Sequence, residues 1–136
     1  GSGYDLGRKL LKAYFQNTLP PELRKLLSDK TQISREDLLS SIYMSKNPKF
    51  YIANFTHFLK ENEDHPFIDR MIYDSYLTFL KSNPFKYPDY YQYKFGFTGS
   101  VAFVFQHYLD KIMSQFEIDY VVCKRPIKNL QQYYLD

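Results

Sequence analysis

Cysteine and glycine are scarce in this 136-residue chain, and long apolar runs are missing. Cys123 is the only cysteine, which excludes an intrachain disulfide and any site that needs several thiolates, such as an iron–sulfur cluster. Because Cys123 lies in an apolar run, we expect its thiol to be buried and inert, as suits a reducing cytoplasm. No run reaches the roughly 18 apolar residues of a membrane span, so we expect no membrane partner.

Motifs for common catalytic chemistry are missing as well. Gly99-Ser100 is not followed by Gly-Lys-Ser, so there is no Walker A loop, and no Gly-x-Ser-x-Gly elbow occurs. The histidines at positions 57, 65 and 107 are not spaced as metal ligands, and we expect each to be a surface or capping residue. Glu61, Glu63 and Asp64 cluster near a predicted helix end, where we expect them to be solvated. No metal site is therefore predicted.

Aromatic residues, in contrast, are abundant, with 14 Tyr and 12 Phe. Tyrosine combines ring area with a polar tip, so this composition suits a packed core, a protein interface and base stacking alike. The 18 basic residues outnumber the 15 acidic ones only slightly, and they are scattered along the chain. This balance is not that of a nucleic-acid-binding surface, and we expect no nucleic-acid partner.

Capping residues and apolar spacing predict that most of the chain before residue 83 is helical. The first helix is expected over residues 4–16, and a short one begins at Pro21 or Glu22. Ser34, Asn47-Pro48 and Asp64-His65-Pro66 predict three further helix starts. The predicted inner positions are Leu6, Leu10, Leu11 and Tyr14; Leu23, Leu26 and Leu27; Leu38, Leu39 and Ile42; Ile52, Phe55 and Leu59; and Ile68, Met71, Ile72, Ser75, Phe79 and Leu80.

A strand, a sharp elbow and a helix are predicted between residues 93 and 116. Aromatic residues alternate with small or polar ones from Tyr93 to Thr98, as in a pleated strand. Gly99 allows a bend, and Ser100 can cap a helix whose N-terminus would favour a phosphate or nucleoside. A Gly-Ser elbow also occurs where no ligand binds, so this feature alone leaves both interpretations open. The predicted inner face of this helix is Val101, Phe105, Tyr108, Ile112 and Phe116.

The end of the chain predicts one more strand and one more helix. The run from Ile118 to Cys123 is apolar at nearly every residue, as in a parallel strand covered on both faces. Pro126 then opens a short helix. The predicted fold class is α/β: a mostly helical block followed by β-α-β-α. Since two strands do not make a stable sheet, we expect further strands from another segment or chain, and an unpaired strand edge predicts a homodimer.

Three short segments together carry a resemblance to a known family. Residues 1–10 resemble a Gly-Ser-Gly-(Ala/Tyr)-x-x-Gly motif, residues 97–102 resemble a strand that ends in Gly-Ser-Val, and residues 124–130 resemble a "basic, x, Pro-Ile-x-x-Leu" segment. These motifs are those of N-acetylglucosamine kinase-like proteins in the BadF/BadG/BcrA/BcrD ATPase family, within the sugar kinase/Hsp70/actin superfamily. The resemblance covers essentially the whole chain.

The resemblance implies the C-terminal lobe of a two-lobed, ATP-dependent sugar kinase with an actin-like (ribonuclease H-like) fold. Residues 1–136 would form this single lobe, with a first helix in 1–16, a helical insertion in 17–90 and the β-α-β-α segment in 91–136. ATP and Mg²⁺ are the implied cofactors, and the partners are the sugar, ATP and the N-terminal lobe of the same protein. N-acetylglucosamine is the first expectation for the sugar, with glucosamine or another hexose as alternatives.

The resemblance also assigns site residues. Those placed beside ATP are Gly99, Ser100, Val104, Ala53 and Asn54. The segment Gly1-Ser2-Gly3 would lie on the sugar side of the cleft if it is native, whereas it would have no role if it is a tag scar. The cysteine-dependent branch of the family, whose members activate dehydratases through an iron–sulfur cluster, is disfavoured because Cys123 stands alone.

No catalytic residue is predicted in this chain. The family's Asp-Gly-Gly phosphate motif, its aspartate base and the Asp-Glu that precedes the first motif do not occur here, and we expect them upstream of residue 1. We therefore expect these 136 residues alone to be inactive as a kinase. The alternative functions are a non-catalytic, Tyr-rich helical module that docks a protein or RNA, and a degenerate kinase relative that senses a sugar.

Overall fold

Eight helices and two strands make up the described part of the protein, a computed structural model that covers residues 3–82, 95–98, 100–117 and 120–123. In chain order they are α1 (Gly3–Phe15), α2 (Pro21–Thr31), α3 (Arg35–Tyr43), α4 (Pro48–Ala53), α5 (Thr56–Glu61), α6 (Pro66–Ser82), β1 (Phe95–Thr98), α7 (Ser100–Val104), α8 (Gln106–Gln115) and β2 (Tyr120–Cys123). The contacts divide the chain into two units, Ser2–Met71 and Ile72–Asp136, and α6 crosses the division. Within the described ranges, every helix is too short or too polar to cross a membrane.

The three predicted helix starts are confirmed by their capping hydrogen bonds. The Ser34 hydroxyl accepts the backbone N–H of Asp37 at 3.1 Å, ahead of α3. The Asn47 side-chain oxygen accepts the N–H of Phe50 at 3.2 Å, ahead of α4. At the start of α6, Nδ1 of His65 accepts the N–H of Phe67 at 3.1 Å, so this histidine is the capping residue that the sequence predicts.

In the first unit, α1 packs on α4 and α5, and α3 packs on α4. The inner face predicted for α1 is confirmed, because Leu6 and Leu10 are fully buried and Leu11 and Tyr14 nearly so. The approach of α1 to α4 is unusually close at Gly7, where a Cβ atom would lie 2.1 Å from the carbonyl oxygen of Ile52. Only a residue without a side chain fits there.

The helix expected to carry Ile52, Phe55 and Leu59 is in fact two helices, α4 and α5. At the break, the N–H of Phe55 donates to the carbonyl of Ile52 at 3.1 Å, three residues back rather than four. The Thr56 hydroxyl donates to the carbonyl of Ala53 at 2.9 Å and so takes an acceptor that a continuous helix would use. Hydrogen bonds of this local kind end α4 at Ala53.

The helix expected after Ser100 is also broken, at Phe105, which separates α7 from α8. Phe105, Tyr108 and Ile112 are buried as predicted. Three other predicted inner positions are largely exposed: Leu26 (48%), Leu39 (41%) and Phe79 (40%). The apolar spacing predicted more buried positions on these helices than the structure has, because spacing does not show how many neighbouring elements pack on each helix.

In the second unit, β1 and β2 pair in parallel, with Phe95 opposite Tyr120 and Thr98 opposite Cys123. This confirms the predicted parallel strand. Helix α7 packs on both strands and on α8. The expected last helix from Pro126 lies outside the described residues.

Two of the acidic residues expected to be solvated make ion pairs; Glu61 is 58% exposed, as expected, whereas Glu63 is 22% exposed. Lys30 Nζ lies 2.7 Å from Glu61 Oε1 and 2.9 Å from Oε2, and Lys60 Nζ lies 2.9 Å from Glu63 Oε1. Both lysines are more than two-fifths exposed, so each pair contributes about 0–1 kcal/mol to stability. The Lys30–Glu61 pair joins α2 to α5, and its main effect is to fix the side-chain positions.

Gly7→Ala tests the close approach of α1 to α4. Helix propensity alone predicts a gain of about 1 kcal/mol from this change. Because the added methyl would meet a backbone carbonyl, we expect instead a loss of about 1–3 kcal/mol in the free energy of unfolding, measured by urea denaturation. Ser40→Ala, on the exposed face of α3, is the control and should change stability little. A stabilised Gly7→Ala protein would contradict the contact.

His65 also joins α6 to α2 through a hydrogen bond at 2.8 Å between its Nε2 and Oε1 of Glu22. Because Nδ1 accepts the Phe67 N–H, Nε2 carries the proton and donates to the carboxylate. This hydrogen bond holds the pKa of Glu22 below its ordinary value of 4.5. The pair therefore stabilises the fold above that value, and its contribution is lost as the pH falls through the lower pKa of the folded state.

Glu22→Gln tests this linkage, because it keeps an oxygen acceptor and removes the charge. We expect the variant to be less stable than the parent at about pH 7 and the difference to be smaller at about pH 3, with urea midpoints measured at both values. Asp29→Asn removes a carboxylate from the same helix and is the matched control. A stability difference for Glu22→Gln that does not shrink on acidification would contradict the linkage.

Candidate functional site

The junction of β1 and α7, in the second unit, is one candidate site. β1 ends at Thr98 and α7 begins at Ser100, so the backbone turns from strand to helix where the sequence predicts an elbow. Gly99 itself lies outside the described residues. The order strand, elbow and helix beside a parallel neighbour is the arrangement in which α/β proteins bind ligands at the carboxyl ends of strands.

Tyr76 on α6 contacts the first turn of α7. Its buried hydroxyl lies 3.5 Å from the carbonyl oxygen of Val101, to which it can donate. Burial raises the pKa of the Tyr76 phenol well above its ordinary value, so the hydroxyl stays protonated and able to donate. Val104, the last residue of α7, is 38% exposed, which leaves its side chain accessible. The sequence did not identify Tyr76 as an inner residue.

A second, separate candidate site is a cavity of about 230 Å³ in the first unit, beside the break between α4 and α5. Asn54, one of the two residues predicted on the adenine side, lines it, whereas Ala53 does not. The remaining lining residues are Lys30, Thr31, Tyr51, Phe55 and Phe58. The break in the helix is what places Asn54 there, since it caps α4 instead of continuing it.

The cavity is lined by both aromatic and polar side chains. The rings of Tyr51 and Phe55 have centroids 6.0 Å apart and planes inclined at 42°. Asn54 adds an amide that can both donate and accept. At about 230 Å³ the cavity is smaller than the roughly 300–1,000 Å³ of a site that encloses a drug-sized ligand, so it suits one ring system better than a whole nucleotide.

Lys30 at this cavity is already paired with Glu61 through both carboxylate oxygens. Its charge is therefore largely compensated, and an incoming anion would have to displace the carboxylate. The cavity is thus better suited to a neutral ring than to a phosphate. Sequence patterns did not identify Lys30, because α2 and α5 meet only in the folded chain; the i, i+4 spacing of Tyr51 and Phe55 was the one available signal.

The predicted site residues fall into separate parts of the structure. Ala53 and Asn54 belong to the first unit, while Ser100 and Val104 belong to the second. On the predicted sugar side, Gly3 begins α1, and Gly1 and Ser2 lie outside the described residues. Among the residues described, no group of three or more His, Cys, Asp or Glu could hold a metal ion.

A comparison with known structures identifies the fold. The chain is similar to a crystal structure from Porphyromonas gingivalis of a protein proposed to be an N-acetylglucosamine kinase, with a TM-score of 0.84 and 25% sequence identity. The similarity covers 98% of this chain and 47% of the other, so the chain spans about half the length of that protein. No protein-family model matches the chain, and no curated protein matches it.

These findings support a mostly helical, sugar kinase-like fold for this chain. The family resemblance also implied a kinase-like fold, and the two findings agree to that extent. The structural similarity does not show membership of the BadF/BadG/BcrA/BcrD family specifically.

Proposed function

We propose that this chain is the nucleotide-binding, C-terminal part of an ATP-dependent sugar kinase of the BadF/BadG/BcrA/BcrD family. The observation that carries the proposal is the similarity, over 98% of the chain, to a protein proposed to be an N-acetylglucosamine kinase. The motif resemblance points to the same class independently, through residues 1–10, 97–102 and 124–130. The reaction would transfer a phosphoryl group from ATP to a hydroxyl of the sugar, with N-acetylglucosamine as the first choice.

In this proposal each of the two candidate sites has its own task. The elbow at Gly99-Ser100 accommodates the nucleoside, and Val104 adds packing one turn further along α7. Asn54 hydrogen-bonds an edge of the adenine ring, and Tyr51 and Phe55 contact its face. Positioning of ATP, together with electrostatic stabilisation, accounts for most of the catalysis in phosphoryl transfer.

The remaining chemistry would come from groups outside these 136 residues. Mg²⁺ would enter with the phosphates of ATP and supply charge compensation there, since the described part of the chain offers it no ligand cluster. The base that deprotonates the sugar hydroxyl and the phosphate-binding motif would lie in an N-terminal lobe. The chain should therefore bind ATP without phosphorylating N-acetylglucosamine.

Tyr51→Ala tests the proposed role of the cavity at Asn54. Loss of an aromatic contact to a base typically costs about 1–3 kcal/mol, so we expect the variant to bind ATP about 5- to 100-fold more weakly, as measured by isothermal titration calorimetry. Phe50→Ala, also on α4, is the matched control, because Phe50 is 64% exposed and does not line the cavity.

Three outcomes bear on this proposal. Selective weakening by Tyr51→Ala supports it, provided that circular dichroism shows both variants folded. Equal affinities of the two variants would contradict the assigned role of the cavity. No binding of ATP to the folded parent chain would contradict the nucleotide-binding function itself and favour an interaction module.

A further inference from the structure

A second, larger recess lies in the first unit and shares no residue with the cavity at Asn54. This groove has a volume of about 410 Å³. It is lined by residues of α1, α3 and α4, including Phe15 and Tyr43, the last residues of α1 and α3. Its apolar lining includes two buried side chains, Leu11 (4% exposed) and Ile42 (8%). The volume falls within the roughly 300–1,000 Å³ typical of small-molecule sites.

Two basic residues, Arg8 and Lys12, line the same groove. They lie four residues apart on α1, so their side chains emerge about one helical turn from each other on one face. Both are exposed, and neither makes an ion pair with any described acidic residue. Two uncompensated cations beside an apolar recess are the feature that packing alone does not explain.

The sequence around the groove strengthens this positive character. Helices α3 and α4 contribute no acidic residue to it, and the stretch from Leu38 to Phe55 contains two lysines and no Asp or Glu. The nearest acid on α1 is Asp5, which does not line the groove. Hence the charge complementarity favours an anion over a cation or a neutral sugar.

We propose that the groove binds an amphipathic organic anion, that is, a small molecule with an apolar body and one carboxylate or comparable group. The body would lie against Leu11, Phe15 and Ile42, while the anionic group would lie between Arg8 and Lys12. The planar guanidinium of Arg8 can donate two parallel hydrogen bonds to a carboxylate, and Lys12 adds a second positive charge. This site is independent of the proposed nucleotide function, because the two recesses have no residue in common.

The test uses three probes against the full 136-residue chain. 4-Phenylbutyrate has an apolar body and a carboxylate, 4-phenyl-1-butanol is its uncharged counterpart, and acetate is an anion without the body. Exposed ion pairs are modest, so we expect 4-phenylbutyrate to bind roughly three- to tenfold more tightly than the alcohol, with acetate showing no saturable binding. Amide chemical shifts in ¹⁵N NMR spectra should move around Leu39, Ile42 and Tyr43.

Charge variants separate this site from general adhesion to apolar surface. Arg8→Gln and Lys12→Gln should each weaken 4-phenylbutyrate binding roughly two- to fivefold and leave the affinity for the alcohol unchanged. Lys25→Gln, on α2 and outside the groove, carries the same change in net charge and is the matched control. All three positions are exposed, so the variants should fold normally.

Each of the following results would overturn the proposal. One is the absence of saturable 4-phenylbutyrate binding up to about 10 mM, which lies beyond the millimolar range of a weak specific site. Another is equal affinity for the acid and the alcohol. A third is an effect of Lys25→Gln as large as that of Arg8→Gln, or chemical-shift changes that leave residues 39–43 unaffected.

Discussion

The close approach of α1 to α4 at Gly7 is the contact on which the cavity at Asn54 and the groove beside α1 both depend. It is set by the absence of a side chain at Gly7, beside the carbonyl of Ile52. The same carbonyl accepts the N–H of Phe55 at the break between α4 and α5. Because α4 is held there, Tyr51 and Asn54 line one recess while Pro48 and Ile52 line the other. The absence of a Cβ atom at Gly7 thus sets the position of α4, whose residues line both of these recesses.

The features that the sequence predicted correctly are those decided by neighbours in the chain. A side-chain oxygen at Ser34 or Asn47 caps the helix that follows it, and three residues are enough to specify each cap. The parallel pairing of β2 was predicted for a similar reason, since a run that is apolar at nearly every position suits a strand with neighbours. The kinase-like fold was implied by short motifs, and the structural similarity supports it at that level.

The features that sequence reasoning missed depend on contacts between distant segments or on competition between local hydrogen bonds. The helix containing Phe55 breaks because a hydroxyl and a shifted N–H replace two regular hydrogen bonds, which apolar spacing does not reveal. Leu39 was predicted to be buried but is 41% exposed, because it lines the open groove beside α1 and α4. Helices also end at left-handed residues that are not glycine, such as Gln32 and Glu117, so no glycine marks those ends. Lys30 reaches the candidate cavity only through tertiary folding.

The central proposal is that this chain binds ATP, for which the strand-to-helix elbow of one unit and the aromatic cavity of the other are two separate candidate contacts. The most direct measurement is a titration of the ¹⁵N-labelled 136-residue chain with ATP, followed through backbone amide chemical shifts. The account predicts saturable shifts in residues 51–55 and at Ser100 and Val101, and no comparable shifts around Tyr43. Saturable shifts confined to other residues, or none at millimolar ATP, would contradict it.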